Sequence, residues 1–180
     1  MMKKTIVLLA LIAPAPLFAQ RDTARSTSRA SAVATAQTLW EQASTYITAS
    51  ADDMPEAKYA FRPTPEVRTF GQLIGHLAGS QKLFCATVLG DTPPAEDAIE
   101  KTVTTKAALV QAWRESNTYC GRAYAIADAA TGASVDYFGQ QRNKLYVLMA
   151  NLTHDNEHYG NIVTYLRMNG IVPPSSRPQR

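Results

Sequence analysis

The chain has 180 residues, with 18 Lys and Arg against 15 Asp and Glu, for a formal net charge of +3. That length builds one domain with a proper core. The basic residues are scattered, which excludes the clustered footprint that nucleic acid or anionic lipid would need.

Residues 1–19 carry the pattern of a secretory signal. Lys3 and Lys4 form a positive start, and residues 5–12 make an apolar run too short to span a bilayer. Pro14 and Pro16 break that run ahead of a cleavage point after Ala19, although Leu17 stands where a small residue is usual. The expected location is periplasmic or secreted, with no membrane attachment once the signal is removed. Residues 20–30, rich in Ser, Thr, Ala and Arg, read as a flexible leader. Cys85 and Cys120 either remain two small buried thiols or pair as a disulfide. Pairing would close a loop of about 35 residues and stabilise the fold by about 3–4 kcal/mol. An oxidising compartment and an even count favour the pair.

Four helices follow. The first spans 31–50, with Ala36, Leu39, Trp40, Ala43 and Ile47 at helical spacing. Pro55, Pro63 and Pro65 make 52–65 a loop. The second helix has the clearest start, because Thr69 with Gln72 forms a capping box. Phe70, Leu73, Ile74, Leu77, Phe84 and Val88 give its apolar face, and Gly90 ends it. Residues 91–100, with Pro93 and Pro94, connect to a third helix over 105–129, which carries Leu109, Val110, Trp113, Cys120 and Tyr124 inward. After a loop at 131–139, the fourth helix runs over 141–169, with Leu145, Leu148, Met149, Leu152, Tyr159, Ile162, Val163 and Leu166 on one face. Gly170 and the Pro173–Pro174 pair stop it. No strand pattern competes. The prediction is an all-α, up-down four-helix bundle over 31–172 with a tail at 173–180.

The chemistry lies in the histidines. His154 and His158 are four residues apart, so they stack on one helical face and can reach a single ion at about 2.0–2.1 Å. Alone, such a pair is more often surface or hydrogen-bonded core histidine. His76 adds weight: it neighbours Leu77 on or beside the inward face of the second helix, where a lone imidazole needs a partner. The stretch HDNEH also matches an inverted zinc-protease arrangement, but no Asp or Glu follows Glu157 to supply the further acidic ligand. Glu157 is either a residue that orients a ligand histidine or acts as a base toward water, or an ordinary solvated glutamate.

The stretches FRPTPEVRTFGQLIGHLAG around His76 and NLTHDNEHYGNIVTYLRMNGIVPPSS around His154 and His158 resemble the DinB-like superfamily. The resemblance spans essentially the whole chain after the leader. It implies a four-helix bundle holding one divalent metal, usually zinc or nickel, on His76, His154 and His158, and frequent homodimers. It also implies thiol transfer with low-molecular-weight thiols, or an isomerase of similar design, among the activities of such proteins. Three imidazoles leave at least one coordination position open, as in catalytic rather than closed structural sites. The expected function is therefore metal-dependent thiol transfer or hydrolysis. The alternatives are a non-catalytic periplasmic metal- or ligand-binding bundle and a structural bundle with satisfied core histidines. Ligand histidines must be neutral, so metal affinity is expected to fall below about pH 6.5.

Overall fold

The computed structural model describes residues 31–178; residues 1–30, where a secretory signal and a leader are expected, and the last two residues of the tail lie outside them. Four long helices, α1 (Ala32–Asp53), α2 (Phe70–Leu89), α4 (Lys106–Tyr124) and α5 (Lys144–Met168), form the bundle. A one-turn helix, α3 (Ala98–Thr102), lies between α2 and α4, and a two-stranded hairpin, β1 (Ser134–Tyr137) and β2 (Gln140–Asn143), precedes α5. The helix starts follow local capping. The hydroxyl oxygens of Ser31, Thr69 and Thr105 and the Asn143 amide oxygen each accept a backbone N–H of the first turn, and Thr69 with Gln72 completes the capping box. Gly90, at φ 82°, closes α2 in the left-handed conformation that a side chain would oppose.

The directions of the helices are up, down, down, up rather than strictly alternating. Lys106 at the start of α4 donates to the carbonyls of Asp52 and Met54 at the end of α1 (2.7 and 2.8 Å), so these two run antiparallel. Gln81 of α2 donates to Ser116 of α4 at 2.8 Å, and Cys85 is bonded to Cys120 with Cα atoms 5.3 Å apart. Leu109 lies against Gly71. Rising residue numbers on both helices make α2 and α4 parallel. The connection between them must then return along the length of α2. It does so over Gly75 and Gly79, which share one face with Gly71 at four-residue spacing. A Cβ at Gly75 would stand 2.9 Å from the Glu100 Cα, and one at Gly79 would collide with the Glu96 carbonyl oxygen.

Two apolar clusters fill the bundle. One gathers Ile47, Phe70, Ile74, Leu77, Trp113, Ile162 and Leu166; the other gathers Val33, Trp40, Phe84, Val88, Tyr124, Leu148 and Leu152. Buried polar residues stand at the level between them: Ser44, Ser80, Gln81, Ser116, Asn151 and Asp155. Trp40 donates to Gln81 at 2.7 Å, and Gln81 donates to Ser116 and Asn117 at 2.8 Å each. Unpaired, these groups would each cost desolvation free energy.

Several boundaries differ from the sequence expectation. The third long helix stops at Tyr124 rather than 129, and the connection after α2 contains α3. Residues 134–143 form a hairpin where a loop and the start of a helix are expected. Its two-residue turn places Phe138 at φ 51° and Gly139 at φ 75°. Asn or Asp usually signals the first of those positions, so Phe138 conceals the turn. Leu39 and Met149, expected on inward faces, are 46% and 40% exposed because each lies at the edge of its stripe.

Candidate metal centre

The polar level of the core opens at one side onto the three histidines. His76, from α2, is 6% exposed, and His154 and His158, one turn apart on α5, are half-buried beside it. The Nε2 of His154 lies 3.1 Å from the Nε2 of His76 and 3.1 Å from that of His158. The ligand nitrogens of all three lie within 4.8 Å of one another. Burial pushes His76 from the ordinary 6.5 down to about 4, helped by the Arg68 charge and by His158. Burial pushes His154 to about 3, helped by the two neighbouring imidazoles and Arg68, and it lowers His158 as well. All three are therefore neutral at pH 7, the form that ligates metal.

These residues fit a divalent ion. An Nε2 carries either one proton or one lone pair, so His154 cannot satisfy both neighbours by hydrogen bonding. Nitrogens held tetrahedrally at about 2.0–2.1 Å from an ion lie about 3.3 Å apart, close to the separations seen. Nitrogen ligation through Nε2 leaves the proton on Nδ1. The Nδ1 of His76 faces Glu100 at 3.6 Å and Glu96 at 3.9 Å. The Nδ1 of His158 lies 3.3 Å from the Asn161 amide group, whose oxygen can take that proton after rotation of the carboxamide. Outer partners of this kind fix the tautomer and orientation of a ligand imidazole.

Glu157 is exposed and makes no hydrogen bond or ion pair among the described residues. The carboxylates that approach a ligand are instead Glu96 and Glu100, carried to His76 by the return of the chain over the glycine face. Sequence reasoning missed both, together with Arg68, whose Nε donates to Glu100 at 3.0 Å. The four-residue glycine spacing in GQLIGHLAG is the signal that could have found them, since it marks close backbone approach beside a histidine. Cys85 and Cys120 sit fully buried in the neighbouring cluster, away from the imidazoles in function as a covalent tie between α2 and α4.

A helical bundle with three histidines converging from its second and last long helices defines a class of candidate metal-binding proteins. A family model for the DinB superfamily matches residues 39–162, and the chain belongs to that superfamily. No curated protein matches the chain. Among solved structures, it resembles a DinB-like protein from Bacillus cereus with a TM-score of 0.68 at 18% identity, covering 77% of this chain and 93% of the other. A DinB-like protein from Bacillus subtilis gives 0.63 at 16% identity, covering 81% and 99%. A mutant of the mycothiol-dependent maleylpyruvate isomerase gives 0.60 at 15% identity, covering 74% and 65%. At these identities the likeness is one of fold.

Proposed function

We propose that the chain is a metal-dependent enzyme in which His76, His154 and His158 hold one divalent transition ion, zinc or nickel, with a coordination position open to substrate. The convergence of three neutral Nε2 atoms, two of them 3.1 Å from the third, carries this reading. Such an ion supplies Lewis acidity to a thiol or to water at its open position. The chain does the rest. Glu100 stands 3.6 Å from the Nδ1 of His76, the Asn161 amide group stands 3.3 Å from that of His158, and burial keeps the imidazoles unprotonated. A cavity of about 550 Å³ is lined by His158, Arg68, Asn161 and Tyr165, giving a small substrate access beside a ligand. The chemistry is thiol transfer or hydrolysis, and the mycothiol-dependent isomerase among the structural neighbours lends support to a thiol reaction. The reading includes export, supported by the N-terminal pattern and the buried disulfide, and a homodimer, supported by the family resemblance.

Loading the protein with cobalt(II) and adding azide tests the open position. A visible spectrum that changes on azide addition supports an enzyme. A bound ion whose spectrum ignores azide supports the non-catalytic metal-binding bundle.

A further inference from the structure

Arg68 stands out among the arginines. Of the seven in the described residues, six engage a terminal guanidinium nitrogen: Arg62 with Pro65, Arg114 with Asp52, Arg122 with Asp91, Arg142 with Gln140, Arg167 with Ser176 and Arg177 with Asp53. Arg68 uses only Nε, donated to Glu100 at 3.0 Å, and leaves both Nη groups without a protein partner among the described residues. Its backbone is anchored too, because its carbonyl accepts the Tyr165 hydroxyl at 2.6 Å. The guanidinium is thus held in place while its outer edge is unused. It lines the same cavity as His158, one of the three histidines of the ion site.

We propose that Arg68 is the anion-recognition residue of this cavity, taking a carboxylate of a small substrate whose other end reaches the metal. This rests on the open metal position proposed above. A fixed guanidinium with both Nη groups free along one edge matches a planar carboxylate bidentately. Glu66 and Glu100 also line the cavity, so a doubly charged phosphate would face two carboxylates and is disfavoured against a singly charged group.

The test uses the full chain loaded with cobalt(II), titrated with 3-mercaptopropionate and with 2-mercaptoethanol while the thiolate-to-cobalt absorption is followed. The carboxylate thiol is expected to bind about tenfold more tightly than the neutral one. In Arg68→Gln the ratio should fall to about one, and in Arg68→Lys it should fall part of the way. A ratio near one in the natural chain, or a ratio that Arg68→Gln does not change, overturns the proposal. So does inorganic phosphate competing with 3-mercaptopropionate more strongly than acetate does. If neither thiol alters the spectrum, the open position fails instead. The Arg68 Nε–Hε resonance titrated with propionate then decides the carboxylate site alone: a saturating shift supports it, and no shift overturns it.

Discussion

His76 and His154, 78 residues apart in the chain, bring their Nε2 atoms to 3.1 Å of each other between α2 and α5. His158 closes on the same atom of His154 from one turn further along α5. No assignment of protons satisfies both contacts with neutral rings, and burial holds the rings neutral. A cation at their meeting point removes that conflict.

Acid should compete with the metal later than unperturbed histidine would suggest. The folded chain keeps His76 neutral to about pH 4 and His154 to about pH 3. Metal affinity measured by competition with a chromophoric chelator should therefore begin to fall at a lower pH than the unperturbed 6.5 would give, and be lost as pH drops through about 4. In the metal-free protein the sign is set by the same depression. The unfolded chain takes up protons from about 6.5 downward, the folded chain only near 4 and 3, so stability falls across that window. Urea unfolding should show a shallower fall in His154→Gln. An equal slope would contradict the burial of His154.

Gly79→Ala tests the glycine face. The added Cβ collides with the Glu96 carbonyl oxygen and must push the returning chain off α2. Stability should drop by about 1–3 kcal/mol, as overpacking does. Glu96 and Glu100 move away from His76 with it, so metal affinity should fall although no ligand is altered. Calorimetry of unfolding and of metal binding on the one variant checks both.

Asp155 is fully buried on α5, and neither carboxyl oxygen has a partner among the described residues. Burial raises its pKa well above the ordinary 3.8. Its contribution to stability is complete below the unfolded value and is lost as pH rises through the folded one. Asp155→Asn removes that loss and can give an amide N–H to the unpaired Oδ1 of Asn151, one turn earlier. The variant should gain about 1–3 kcal/mol at neutral pH, with the gain shrinking toward pH 4. Destabilisation at every pH would contradict it.

The Cys85–Cys120 bond spans 35 residues, and both ends are buried. Cys85→Ala with Cys120→Ala should cost about 3–4 kcal/mol. Paired urea curves, with and without reductant, should separate the natural chain and not the variant.

Much of this architecture was legible because it is written locally. Thr69 with Gln72, and Gly90, bound α2 by capping chemistry alone. The i,i+4 spacing put His154 and His158 on one face, and the apolar neighbours of His76 turned it inward. Long-range relations were not legible. Nothing near Arg68 in sequence announces Glu100, and parallel α2 and α4 emerge only when the chain folds back over the glycines. Asp155 was passed over because an ionisable residue is normally read as solvent-facing, and the polar level that accommodates it draws on all four long helices. Phe138 occupies a left-handed position where Asn or Asp would have disclosed the hairpin.

The most direct measurement is elemental analysis of the protein purified without chelator, alongside His76→Ala, His154→Ala and His158→Ala. The expected result is about one divalent transition ion per chain in the natural protein and a large loss in each variant, with folding confirmed by circular dichroism. A natural protein without metal, or folded variants that retain it in full, would contradict the three-histidine centre.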